Sequence, residues 1–483
     1  MDFHDLVEDI ILRVLEQCEV HDLARMSQTC KYHHHLVFKE RSIWVSVVSD
    51  LCRRGFIDEL SVENLRDLST EEFIMLVKKS ATGPITWSPP EIQWDTPPTL
   101  GQRLRSIIPS SIRGLTGNRY HSRTMSITDT FSPEILKRIV LHPTIPTGPG
   151  ILTWENEAKL LRGGRYVLFN NWRHLECWRC QDDTLLWKHI GGIPYASDGE
   201  FAAEVVKNGK SATIVVCQRT YEPQGPRKNF VTVIQLDLQT GISEELYVAP
   251  CPPTSFDNSL HAVRVCGDIA TVAIDRLAKD QYIILNWRTK SSFRVRGLGP
   301  MILDLMPHHI VFSTATASGG QKICVSGVEA LAMYWPGTTD AVSIHDIPTI
   351  VSERIPNVSR PIDLQIAALE SPLQRSTYRI WLYLFGVGHA VLRSYRMSSR
   401  VGTFEWHLRS HIARKLDMDY YRAIAYSGHS QKFNGRECII PPRWPSTSVI
   451  LDLADEGDFV DVAAYSGALT YATHHSLVVL YYR

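Results

Sequence analysis

Residues 163–189 read GGRYVLFNNWRHLECWRCQDDTLLWKH. Runs of apolar and aromatic residues alternate with Asn170-Asn171 and Asp182-Asp183, residue types that close tight turns. The spacing predicts strands over 166–169, 174–180 and 185–189. Outward from this stretch the pattern repeats: AEVVKNGKSATIVVCQR (203–219) with FVTVIQLDLQTG (230–241), then HAVRVCGDIATVAIDR (261–276) with DQYIILNWRTKSSFRV (280–295). LMPHHIVFSTA (305–315) pairs with KICVSG (322–327), followed by TYRIWLYLFGVGHAVLRSYRM (377–397). RAIAYSGHSQKF (422–433), SVILDLAD (448–455) and VAAYSGALTYATHHSLVVLYYR (462–483) complete the series.

Strand groups recurring at roughly 40–60 residues, with no long helical period, indicate a radial or stacked all-β array. The reading is a β-propeller of about six or seven blades over residues 151–483. A pair of two-sheet β-sandwiches is the rival architecture. A propeller must close its ring, because an open edge strand invites pairing with other chains. A segment within roughly residues 85–155 is therefore expected to pair with the final strand, SLVVLYYR. The hairpin carrying Trp178 and Trp187 resembles a blade of the WD-repeat propellers. The Trp-Asp dipeptide itself occurs at Trp94-Asp95, and Gly388-His389 and Gly428-His429 do not recur at blade spacing.

The N-terminal region has a different period. In DLVEDIILRVLEQCEVHDLARMSQTCKYHHHLVFKERSIW (5–44), Leu6, Ile10, Ile11, Val14, Leu15 and Cys18 recur at helical steps. Asp5, Glu8 and Asp9 lie where carboxylates suit the positive end of the helix dipole. Asp22 is a candidate N-cap for a second helix bearing Leu23, Met26 and Cys30. A third helix is expected from Ser42, with Ile43, Trp44, Val47, Val48 and Leu51 apolar, ending near Gly55. Ser69 and Glu72 have capping-box spacing for a helix running to about residue 80 and ending by Gly83. These short helices carry more apolar residues than so small a unit can cover alone.

The first fifty residues resemble an F-box, the motif that binds the Skp-type adaptor of cullin–RING ubiquitin ligases. The matching residues are Leu6, Glu8-Asp9-Ile10-Ile11, Leu15, Leu23, Thr29-Cys30-Lys31 and Ser42-Ile43-Trp44; Val7 stands where the family usually has Pro. The following helix is similar to the extension in F-box proteins of mushroom-forming fungi. The resemblance implies a mainly β protein with a small α domain, divided as 1–80 (F-box and helical extension), 81–150 (linker and closing segment) and 151–483 (propeller). It also implies an SCF-type substrate receptor docking on the adaptor through Leu6, Ile10, Ile11, Leu15, Leu23, Met26 and Trp44, and through the adaptor on cullin. The propeller would hold an unidentified target protein. The alternative is a non-catalytic interaction scaffold outside the ligase.

The 483 residues contain 44% hydrophobic and 21% charged residues, with 51 Lys plus Arg against 51 Asp plus Glu. That balance gives no reason to expect nucleic acid or a membrane surface as partner. No apolar run is long enough for a membrane span, and the acidic start MDFHDLVEDI is unlike a secretory signal. Ten Cys are scattered without a framework, and several, such as Cys18, Cys30, Cys217 and Cys266, fall on apolar helix or strand faces, which fits buried free thiols in a reducing compartment, the cytoplasm or nucleus.

No catalytic residue, cofactor or metal is expected. Cys177 and Cys180 are three apart in a strand and so face opposite ways. His33-His34-His35, His308-His309 and His474-His475 lack the i,i+4 spacing of a zinc site, and the triplet reads as a solvated helix face. Gly386-x-Gly388 lacks the third Gly of a dinucleotide loop, and Ser197-Asp198-Gly199 lacks the spacing of a sialidase box. An enzyme built on the propeller would need carboxylates converging at its channel. Arg103, Arg105, Arg113, Arg119 and Arg123 lie in an acid-free stretch, 96–128, readable either as a solvated linker or as an anion-binding strip.

Overall fold

In the computed structural model the quoted runs become antiparallel strands. The structure describes residues 7–58, 64–87, 133–144, 157–171, 174–190, 196–220, 228–251, 260–274, 280–335, 340–359, 361, 363–386, 389–400, 403–414, 420–433, 437–440, 449–451, 453, 460–473 and 475–483. Leu6, the Arg-bearing stretch 96–128 and Trp94-Asp95 lie outside them.

Strands Tyr166–Asn170, Leu175–Arg179 and Thr184–Lys188 fall within a residue of their expected bounds. With Glu157–Leu160 they form a four-stranded sheet in sequence order, the first blade. Asp183 takes a left-handed φ of 53° at the expected turn. Cys177 and Cys180 pack into different hydrophobic clusters, on opposite sides of this blade.

Six further sheets follow, seven among the described residues. Their first strands are Ala196–Val206, His261–Cys266, Met301–Met306, Asp363–Glu370, Tyr420–Ile424 and Val460–Val462. In most neighbouring blades the first strands contact one another, so they are the innermost. Between blades five and six, the Arg379 and Trp381 side chains donate to the Tyr426 carbonyl at 2.9 and 3.2 Å. The last blade touches the first, and the ring is closed. Blade three carries an extra edge strand, Val342–Ser343, parallel to its neighbour.

Closure is not by the C-terminal strands alone. Ile135–Leu141 pairs antiparallel with Leu477–Tyr482 and supplies the outermost strand of blade seven, within the segment expected to do so. Its Ile139 and Leu141 are buried against Val479 and Leu477 of that strand.

The N-terminal helices are α1 (Glu8–Glu16), α2 (Val20–Ser27), α3 (Lys31–Lys39), α4 (Arg41–Arg53) and α5 (Thr70–Thr82). The capping box opens α5 as expected: Glu72 N–H donates to Ser69 Oγ at 3.3 Å, and Ser69 N–H donates to Glu72 Oε2 at 2.7 Å. Two expectations are corrected. Helix α2 starts two residues before Asp22, with Glu19 at its N-cap; Asp22 lies in the first turn, where the dipole still suits it. Helix α3 stands apart as a separate helix, opened by Cys30, whose Sγ accepts from His33 N–H at 3.4 Å. Within its histidine triplet, His34 and His35 are exposed, whereas His33 is buried with Nδ1 2.8 Å from Thr29 Oγ1.

The helices sit over the face formed by the turns between first and second strands. Those turns in blades one, five, six and seven all meet them, through Gly163, Leu373, Tyr426 and Tyr465. The approach is close enough to need glycine. A Cβ on Gly467, whose φ is +67°, would lie 2.6 Å from Pro84 Cδ; one on Gly164, φ +68°, would lie 2.5 Å from Asp58 Cβ.

Candidate docking surface of the helical domain

Helix α1 carries two apolar stripes side by side. Ile11 and Leu15 point inward, 2% and 0% exposed. They pack with Leu23, Leu36, Val37, Ile43, Trp44, Val48 and Phe73 in one core. Trp44 Nε1–H donates to the Val37 carbonyl at 2.7 Å, which satisfies its only polar atom inside that core. Val7, Ile10 and Val14, at steps of three and four, point outward and are 65%, 49% and 44% exposed.

This divides the residues expected to dock. Ile11, Leu15, Leu23 and Trp44 are buried within the helical domain, in its core rather than on its surface. Met26 is half-buried against the same core, and Ile10 is on the surface. The sequence pattern did not single out Val7 and Val14 as surface residues. Their signal was the spacing with Ile10, one residue out of step with the Ile11–Leu15 stripe. Periodicity locates both stripes; only the packing of α4 against α1 shows which is covered.

The surface is held in fixed relation to the propeller. Arg54 Nη2 donates to Glu370 at 2.7 Å, Arg375 Nη2 to Asp50 at 2.8 Å and Arg400 Nη2 to Glu19 at 3.2 Å. Burial raises the Asp50 carboxyl, but hydrogen bonds from Arg53 and Arg375 and the charge of Arg54 outweigh it and hold it below the usual carboxylate range. Apolar contact is added by Tyr426, Tyr465, Leu369 and Leu373 of the propeller, which join the helical core. At the other end, Lys79 Nζ donates to the Tyr482 carbonyl at 2.6 Å, and Trp87, fully buried, packs on Tyr482 and His429.

The inner strands of the propeller carry charged residues that engage one another. Lys159 Nζ lies 2.7 Å from Glu157, and Arg264 lies 3.4 Å from Asp304. Glu200 accepts from Ala262 N–H and Glu204 from Gly267 N–H. Burial pushes the Asp461 carboxyl up to about 6 against the pull of Lys159. Among the described residues no group of three or more His, Cys, Asp or Glu is placed to hold a metal ion. No helix among them is long and apolar enough to cross a membrane.

The sheets and their order define the class: a β-propeller, with seven blades among the described residues and a helical domain seated on one face. Among solved structures, the chain is similar to the WD40 domain of SCAP from fission yeast, with TM-score 0.39 and 8% identity over 72% of this chain and 95% of that one. It is also similar to a eukaryotic initiation factor, with TM-score 0.32 and 12% identity over 70% and 78% of the two chains. No protein-family profile matches the chain, and no curated protein matches it.

Proposed function

We propose that this protein is the substrate-recognition subunit of an SCF-type ubiquitin ligase. The helical domain docks on a Skp-type adaptor, and through it on cullin, by the Val7–Ile10–Val14 stripe. The propeller presents a target protein. The observation that carries the reading is that stripe: three apolar side chains uncovered on a helix whose other apolar stripe is fully packed. The F-box resemblance at Glu8–Ile11, Thr29-Cys30-Lys31 and Ser42-Ile43-Trp44 names the partner. Such a receptor needs no catalytic residue or cofactor, because it acts by raising the local concentration of target lysines near the ubiquitin-loading enzyme. A cytoplasmic or nuclear location accompanies the role.

One observation favours the scaffold reading instead. Val7 occupies the α1 N-cap and makes no side-chain cap hydrogen bond, so the end of the docking helix lacks a local lock. Co-purification with a Skp-type adaptor separates the two. Ile10→Asp plus Val14→Asp should abolish capture while leaving the fold intact, since both side chains are on the surface. Undiminished capture by that variant would refute the stripe as the docking face. Absence of capture by the wild-type chain would favour the scaffold.

A further inference from the structure

A cavity of about 470 Å³ lies between the helical domain and blades one and two. Its wall is cationic: Arg53 and Arg54 from the helical side, Arg162 and Arg165 from the first turn of blade one, and Lys207 from the corresponding turn of blade two. Two carboxylates share the wall, Glu204 and Glu370, and both are engaged. Glu370 takes Arg54 at 2.7 Å, and Glu204 accepts the Gly267 N–H at 2.6 Å. Arg53 is occupied by Asp50.

Three cations remain. Arg162, Arg165 and Lys207 are all exposed, and among the described residues none has a carboxylate within ion-pair reach. Arg162 lies over the Tyr465 ring at 5.2 Å, which holds its guanidinium at the cavity, and Glu204 and Glu370 act on it only through their longer-range field. Lys207 feels Asp237 in the same way. Lys207 and the next residue, Asn208, both hold left-handed backbone, φ 51° and 56°, a conformation that non-glycine residues rarely adopt.

We infer that this cavity is a binding site for a small anion carrying two or more phosphate groups. Arginine forks match phosphate oxygens in pairs, and a lysine supplies a point charge beside them. The volume falls in the range of small-molecule pockets, roughly 300–1,000 Å³. Because the walls come from both domains, a bound anion would tie the helical domain to blades one and two. The site is independent of the adaptor-docking reading.

The test is thermal unfolding of the full chain with inorganic tripolyphosphate, against sodium chloride at matched ionic strength. The expected result is a rise in Tm of roughly 3 °C at saturation beyond the salt control. Arg165→Gln plus Lys207→Gln should weaken the half-saturating concentration at least about tenfold. Both side chains are exposed, so the unliganded variant should melt with the wild type; Arg165→Gln alone serves if it does not. No rise beyond the salt control, or an equal rise in the variant, overturns the inference. A response to a doubly phosphorylated peptide with none to tripolyphosphate overturns the small-molecule assignment.

Discussion

Trp87 is the place to test how firmly the helices are fastened to the propeller. It ends the 3-10 turn Ile85–Trp87 just after α5 and is fully buried in a cluster with Ala425, Leu451, Val460, Val462, Leu469, Tyr471, Val478, Leu480 and Tyr482. Its ring centroid lies 5.6 Å from His429 and 5.8 Å from Tyr482. Trp87→Ala removes the whole ring from a site walled by two blades, which leaves little room for collapse, so the expected cost is about 3–5 kcal/mol. That is a large share of the roughly 5–15 kcal/mol that holds a typical domain folded. Trp87→Phe separates packing from polarity. The indole Nε1–H is buried with no hydrogen-bond partner among the described residues, so losing it offsets part of the lost volume. Phe should therefore cost no more than about 1 kcal/mol. Ile85→Ala, on the same turn but 55% exposed, is the control and should stay within about 0.5 kcal/mol. Urea unfolding followed by circular dichroism measures all three, with slopes compared to check that the transition is unchanged. A Trp87→Ala cost below about 1 kcal/mol, or one equal to that of Ile85→Ala, would refute the claim that this residue fastens the helices to blades six and seven.

Two further outcomes follow from named groups. Burial pushes the His429 imidazole down to about 4, and its Nε2 is buried with no partner among the described residues, while Nδ1 meets Ser427 Oγ at 2.8 Å. The unfolded chain takes up this proton near pH 6.5 and the folded chain does not until near 4, so its contribution is present above about 6.5 and is lost as pH falls toward 4. The loss is on the order of 3 kcal/mol at most, and urea midpoints for His429→Gln should show a flatter acid limb than wild type; parallel limbs would exclude it. Ser69→Ala removes one arm of the capping box and should lower stability by about 1 kcal/mol, read by the same urea midpoint; no change would show that the Glu72 arm alone holds the end of α5.

What could be read from the residues was short-range. Turn residues such as Asp182-Asp183 bounded the strands of blade one because their preferences act over a few bonds. Ser69 and Glu72 marked a helix start for the same reason, and three-residue separation put Cys177 and Cys180 on opposite faces. Even here a boundary slipped: Glu19, rather than Asp22, holds the N-cap of α2, and the Glu19 carboxylate also receives the backbone N–H of Arg375 from blade five.

Tertiary packing decided the remainder. Both apolar stripes of α1 have helical spacing, and which one stays uncovered depends on α4, some thirty residues away. The partner of the last strand, Ile135–Leu141, is more than three hundred residues distant, and many strands of similar composition would satisfy the same hydrogen bonds. The cationic cavity joins turns from two blades to the end of α4. No local pattern in Arg162, Arg165 or Lys207 announces their meeting, because their juxtaposition is set by how the ring closes and where the helices settle on it.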